Sequence, residues 1–304
     1  MATTPSTTTA AKVNVIIPTY NMAGYLPQTI DSIINQDYQW LEVIVADDGS
    51  TDNTQAVVAE YVQRYPGRVK YVLRPNGGES AARNSGIAAS DAEFLMFVDG
   101  DDLLMPGAVS LLMEQMLQLD ETYCVVHGEM ECFEDGTDKF LEYTNFHDVT
   151  QNRAGLFVEM TNLLMAGVVR RQALLKIGCF SESVKDGVFT DTQMKLCKIG
   201  RFFSTKQVVY RYRIRPNSRS RTFSLERAKL LNEQSKARLE TYLEGESWLV
   251  QRQAWAAYFL KSGIDIHAYD RSLARKYFLQ AILTNPLQLN ALRLLQASLR
   301  NKTI

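Results

Sequence analysis

The chain has 304 residues, 33 Lys+Arg against 34 Asp+Glu, 46% hydrophobic residues and four Cys. At about 100–200 residues per domain this is one large domain, or one domain with an appendage, and it is too apolar and too charge-balanced for wholesale disorder. Cys124, Cys132, Cys179 and Cys197 are scattered without C-x-x-C spacing, which argues against a disulfide-stapled scaffold or a zinc knuckle.

No apolar run approaches the ~18 residues of a membrane span, and residues 1–12 have neither a basic n-region nor an apolar h-region. A soluble cytoplasmic protein with a frayed Thr-rich tail is expected. Residues 1–200 carry 14 basic and 27 acidic side chains, a net of −13; residues 201–304 carry 19 and 7, a net of +12. A split of this kind points to an anionic surface at the basic end or to docking between the two parts, and solvated helix faces explain it as well.

In chain order, Val13–Ile17 is a β-branched run stopped by Pro18, the pattern of a buried strand. A helical period runs through Leu26, Ile30, Ile33 and Ile34. Leu41–Ala46 (strand), Thr54–Tyr65 (helix), Val69–Leu73 (strand), Ala81–Ala89 (helix) and Phe94–Val98 (strand) follow. Strand and helix alternating at this spacing predict βαβ units and a parallel sheet covered on both faces, with ligands outside the carboxyl ends of the strands. Three polar clusters fall at those ends: Pro18-Thr19-Tyr20-Asn21, Asp47-Asp48-Gly49-Ser50 and Asp99-Gly100-Asp101-Asp102.

Beyond Asp102 the alternation loosens. Met105–Leu119 reads as a helix, Tyr123–Glu131 as a strand, Glu134-Asp135-Gly136 as a turn, and Leu156–Leu164 and Ala173–Lys176 as helical patches. Asp191–Ile199 reads as a helix and Phe202–Ile214 as a long strand. From Phe223 the pattern is helical, with breaks near Gly245, Gly263 and Asn285-Pro286. A boundary is expected near residue 222: a domain over 13–221, with a nucleotide-binding half at 13–102 and an acceptor half at 103–221, then a basic helical region over 222–304.

The run Phe97-Val98-Asp99-Gly100-Asp101-Asp102 packs carboxylates that repel one another unless a cation intervenes. Hard oxygen ligands suit Mg²⁺ or Mn²⁺ completed by substrate phosphates. As local geometry, the same run equally suits an acidic turn capping the Pro106 helix. Asp47 and Asp48 can accept hydrogen bonds from a base or ribose, with Asp52 as helix cap. In Asn76-Gly77-Gly78-Glu79-Ser80-Ala81-Ala82-Arg83, glycines admit a ligand to the backbone and Arg83 lies one turn into a helix, within reach of a diphosphate.

Taken in order, V-I-I-P-T-Y-N, V-A-D-D-G-S-T-D, G-G-E-S-A-A-R-N-S-G-I and F-V-D-G-D-D resemble the family 2 glycosyltransferases across Val13–Asp102. The resemblance implies a GT-A fold (a mostly parallel Rossmann-like α/β sheet flanked by helices, here with a C-terminal helical extension), a nucleotide-sugar donor, a divalent metal on the D-x-D and inversion at the sugar carbon. By position it implies donor contacts from Pro18, Tyr20, Asp48, Arg83 and Asp99 and a metal contact from Asp101; Thr19, Asn21, Asp47 and Gly100 are expected to border the donor with them, and Asp99 to share the metal. Asp191 falls where the family's catalytic base stands, with Thr190 in place of the usual preceding acid; Asp186 is the second choice. Arg215 stands where members often have His. Arginine cannot ligate a metal but can pair with phosphate oxygens.

Together these imply an inverting, Mn²⁺- or Mg²⁺-dependent transferase moving a sugar from a nucleoside diphosphate donor, a UDP-sugar, to a glycan or lipid-linked acceptor. The family setting is bacterial surface polysaccharide or lipopolysaccharide synthesis, with no nucleic acid partner; the Arg293–Arg300 helix suits an anionic membrane surface and docking on the catalytic domain equally well. A sugar-nucleotidyltransferase would want a Gly-rich basic loop after the first strand; an inactive nucleotide-binding membrane module stays open through Thr190 and Arg215. His127, His147 and His267 form no ligand spacing, and Trp248, Trp255, Tyr258 and Phe259 are expected to pack.

Overall fold

The structure, a computed structural model, describes residues 11–144, 163–215, 224–287 and 289–299. β1 (Val13–Thr19) is buried at all seven positions, as a strand covered on both faces must be. It leads through α1 (Leu26–Ile34) to β2 (Leu41–Asp47), α2 (Thr54–Arg64), β3 (Val69–Leu73), α3 (Glu79–Ala89) and β4 (Phe94–Phe97). β2 and β4 flank β1 and run parallel to it, with Ile16 in register with Ile44 on one side and Phe97 on the other. Chain order therefore reverses at β1, and a crevice opens at the carboxyl ends of β1 and β4, where open α/β sheets bind ligands.

The second half is β5 (Leu103–Leu104), α4 (Ala108–Gln118), β6 (Tyr123–Glu134), β7 (Phe140–Thr144), β8 (Gly167–Arg170), α5 (Arg171–Lys176), α6 (Val188–Ile199) and β9 (Arg201–Ile214). Among the described residues the strands form one sheet in the order β3-β2-β1-β4-β8-β6-β9-β5, with β7 also on β6. β8 is antiparallel to β4 and β6, whereas β6 and β9 run parallel over a long register. The expected strands and helices of residues 13–102 are present. The short strands β5, β7 and β8 were not foreseen, and the helix expected at Asp191 begins at Val188. Most of the patch expected at Leu156–Leu164 lies outside the described residues.

Four helices follow: α7 (Leu225–Tyr242), α8 (Trp248–His267), α9 (Arg271–Thr284) and α10 (Leu289–Leu299). Ser224, Ser247 and Asp270 cap the first three by accepting from the backbone N–H three residues on. The break expected at Gly263 does not occur. Gly263 lies inside α8, where a Cβ would stand 2.4 Å from the Phe278 ring, so the glycine lets α9 approach closely rather than ending the helix. Leu239, Leu243, Ala254 and Tyr258 belong to the same buried cluster as the sheet residues, so α7 and α8 share the main core. α10 packs on α9 and α8.

Candidate functional site

A cavity of about 500 Å³ opens at the crevice between β1 and β4. Pro18, Thr19 and Tyr20 line it from the end of β1, and Asp99, Gly100 and Asp101 from the end of β4. Ala82 and Arg83 line it from α3, Lys185, Asp186 and Gly187 from the turn before α6, and Arg213 and Arg215 from β9 and its end. The loop clusters that sequence patterning placed on one rim thus meet around one space. Gly100 sits tightly here: a Cβ would come 3.1 Å from Thr19 Oγ1.

Asp48 is 4% exposed, and its carboxylate is held from one side. Gly77 N donates to Oδ1 at 3.0 Å, Gly78 N to Oδ2 at 2.7 Å, and Arg74 pairs with Oδ1. Asp48 therefore ties the β2 loop to the start of α3. Asp47 and Asn21, both placed against the nucleotide by sequence position, are absent from the cavity lining. Asp47 is fully buried and accepts from Ser50 N at 2.8 Å and from the Tyr71 hydroxyl at 2.6 Å. Asn21, at φ +54°, accepts from Thr51 N at 2.8 Å and Asp52 N at 3.2 Å, fastening the β1 loop to the β2 loop.

Arg83 is 1% exposed, with its guanidinium 4.2 Å from the Phe189 ring centroid. Nη2 donates to Asp99 Oδ1 at 2.8 Å, and Nη1 stands 3.4 Å from Glu79 Oε2. Nε is buried and makes no hydrogen bond among the described residues.

The acidic turn divides by role. Asp102 is buried; Arg213 N donates to Oδ1 at 2.8 Å and the Tyr210 hydroxyl to Oδ2 at 2.8 Å. Burial, with the charges of Asp101 and Asp99, pushes its carboxyl well up. Asp102 neither caps a helix nor faces the cavity; it locks the turn onto β9. Asp101 faces the cavity, with Arg215 Nη2 2.7 Å from Oδ2. Burial and then the Asp99 charge raise its carboxyl, with Arg215 pulling the other way.

Two carboxylates in partial burial, one raised by the other, form a hard oxygen set that a divalent cation would relieve. Among the described residues no group of three or more His, Cys, Asp or Glu is placed to hold a metal ion. A cation held here would draw on Asp99 and Asp101 and take its remaining oxygens from phosphates. Of the three arginines that alternate along β9, Arg211 pairs with Glu131 at 2.6 Å and Asp138 at 2.9 Å, away from this cavity. Arg213 reaches Asp135 at 3.2 Å, Gln28 Oε1 at 2.7 Å and the Asp101 carbonyl at 2.6 Å.

Asp191 is 5% exposed and is absent from the cavity lining. The Tyr242 hydroxyl donates to Oδ1 at 3.0 Å, and Lys195 Nζ stands 2.9 Å from Oδ2. Asp186 lines the cavity, with Arg227 Nη2 3.7 Å from Oδ1 and Arg238 donating to its carbonyl. Sequence reasoning did not single out Lys185 and Arg227, both on the cavity wall. Arg227 comes from α7, across the expected domain boundary; only its place in the net-positive C-terminal segment hinted at it.

The family model for glycosyl transferase family 2 matches residues 14–178, more than half of the chain. The chain belongs to this family. A family 2 relative, the GalNAc(5)-diNAcBac-PP-undecaprenol β-1,3-glucosyltransferase of Campylobacter jejuni, is 41% identical over 119 residues, 38% of this chain and 37% of that protein. Alignments to curated relatives span between 11% and 65% of their lengths. Among solved structures, S. aureus TarS 1-349 in complex with UDP-GlcNAc superposes at TM-score 0.60, 20% identity, over 96% of this chain and 92% of that one. The mannosyltransferase PcManGT of Pyrobaculum calidifontis, in complex with GDP-Man and Mn²⁺, gives 0.63 at 20% identity, over 96% and 81%. The family 2 chain described here thus has the GT-A fold with C-terminal helices added. No described helix is long and apolar enough to cross a membrane.

Proposed function

We propose that this family 2 protein is an inverting glycosyltransferase that moves a sugar from a nucleoside diphosphate donor, UDP-linked, to a hydroxyl of a glycan or lipid-linked acceptor in bacterial surface polysaccharide synthesis. The observation that carries the reading is the meeting of Arg83, Asp99, Asp101 and Arg215 around one cavity at the switch point of the sheet. TarS bound to UDP-GlcNAc and PcManGT bound to GDP-Man and Mn²⁺ support the donor class, and the Campylobacter enzyme's name supports the lipid-linked acceptor.

In this reading Tyr20 and Asp48 border the nucleoside, and Arg83 and Arg215 face the diphosphate. Asp99 and Asp101 would hold Mn²⁺ or Mg²⁺. When bound, that ion would neutralise charge on the diphosphate. Arg215 adds a fixed charge where a neutral ligand is common in the family, so phosphate is held by guanidinium as well.

Transfer with inversion requires a carboxylate on the acceptor side. The acceptor oxygen bonds to the anomeric carbon as the carbon–phosphate oxygen bond breaks, the proton passes to the carboxylate, and the nucleoside diphosphate departs with the bonding pair. Two carboxylates are candidates by sequence. Asp186 is our choice, because it borders the cavity while Asp191 is absent from its lining, with Oδ1 accepting from Tyr242 and Oδ2 ion-paired to Lys195. Asp191 then positions the first turn of α6, which follows Asp186 directly. The test is nucleoside diphosphate release from UDP-, GDP- and dTDP-sugars with Mn²⁺, Mg²⁺ or EDTA. Release that EDTA abolishes supports the reading; conversion of the donor with added pyrophosphate to nucleoside triphosphate and sugar 1-phosphate would replace it with nucleotidyl transfer.

A further inference from the structure

The four most exposed large apolar side chains among the described residues are Leu287 (85%), Leu283 (73%), Trp248 (69%) and Leu289 (62%). Trp248 was expected to pack; it does not. Single exposed leucines are ordinary, but these four share one end of the helical region. Arg252 Nε donates to the Thr284 carbonyl at 2.7 Å, which joins the first turns of α8 to the end of α9. Its guanidinium also lies 4.9 Å from the Trp248 ring centroid. Leu283 precedes Thr284, Leu287 follows it by three residues, and Leu289 opens α10.

Charge on α9, α10 and the residues that follow has one sign. Residues 271–304 hold six Lys and Arg and no Asp or Glu. Exposed Lys276 lies seven residues before Leu283, on the same stripe of α9, and exposed Arg293 lies four residues after Leu289 on α10. Acids approach from the α7–α8 loop: Glu246 is 3.3 Å from Lys198, and Glu244 is exposed. No described helix is long and apolar enough to span a bilayer, so such an end lies on a surface rather than through it.

We propose that this end docks on an anionic lipid bilayer, with Leu283, Leu287, Leu289 and Trp248 entering the headgroup boundary and Lys276 and Arg293 meeting the lipid charge. An apolar tip beside an acid-free basic stripe matches both attractions of an anionic interface, and tryptophan is favoured at that depth. A second copy of this chain fits less well. A symmetric pair would bring the same basic stripe against itself. The inference goes beyond the proposed function, and its readout does not depend on transfer activity.

Co-sedimentation of the full chain with phosphatidylcholine vesicles, with and without about one third phosphatidylglycerol, tests it. Binding is expected to the anionic vesicles, to weaken as salt rises, and to fall about tenfold in Leu283→Glu/Leu287→Glu. The melting midpoint of that variant should match the parent, because both side chains are exposed. Lys276→Glu/Arg293→Glu should weaken binding and flatten its salt dependence. Failure of the parent to pellet at low salt would overturn the proposal. So would light scattering that shows a parent dimer split by the leucine substitutions while vesicle binding stays unchanged.

Discussion

Arg83 is a cation sealed into the protein with only part of its donor set used, between aromatic rings on one side and the Asp99 carboxylate on the other. Lysine at this position would keep the charge and lose the planar fork. Arg83→Lys is expected to raise the dissociation constant for the nucleoside diphosphate about 10- to 100-fold, the size of one charge-assisted hydrogen bond, read by calorimetry. The two carboxylates near α6 separate in the same way. Asp186→Asn should lower transfer by about 10²–10⁴ and leave donor binding intact. Asp191→Asn should lower stability and shift donor affinity and rate together. If Asp191→Asn instead abolishes transfer at unchanged affinity and stability while Asp186→Asn stays active, the roles are exchanged.

At the scale of elements, α3 presents Arg83 because it can lie close on β1. Gly86 makes that approach: a Cβ there would stand 2.5 Å from Ile16 Cγ2, a fully buried atom group with no room to yield. Gly86→Val is therefore expected to cost about 1–3 kcal/mol in denaturant unfolding and to weaken donor binding, because the helix must lift. The same packing explains which elements the sequence announced. β1, β2 and β4 are apolar runs closed by polar clusters, and the strands from β1 to β4, β3 included, succeed one another at βαβ spacing, so local pattern and tertiary role agree.

The second half is defined by distant partners. β8 is four residues long and is recognisable only through its pairing with β4 and β6. Asp102 belonged to an acidic run that suited a metal site or a helix cap, and its role depends on Tyr210 and Arg213, more than a hundred residues away. Gly263 illustrates the reverse error, since propensity alone cannot distinguish a helix-ending glycine from one that admits a neighbouring helix.

For the whole molecule, the expected boundary near residue 222 is crossed by contacts on which the site relies. Arg227 lines the cavity from α7, Tyr242 holds Asp191, and Leu239, 1% exposed, is buried in the same core as the sheet. The sheet and α7–α8 should therefore unfold in one cooperative transition. Leu239→Ala should lower stability by about 2–5 kcal/mol and move that single transition as a unit. Two separated calorimetric transitions, only the later one shifted by the substitution, would mean that the helices fold on their own.

Every level of this account requires a nucleoside diphosphate to seat its phosphates between Arg83, Arg215 and the Asp99–Asp101 pair. Titration calorimetry of UDP, GDP and dTDP with Mn²⁺, on the parent chain and on Asp101→Ala, measures that directly. One of the three nucleotides should bind saturably, and its affinity should drop at least about tenfold in the variant and on adding EDTA. Equal affinity in parent and variant, or no binding by any of the three, would contradict it.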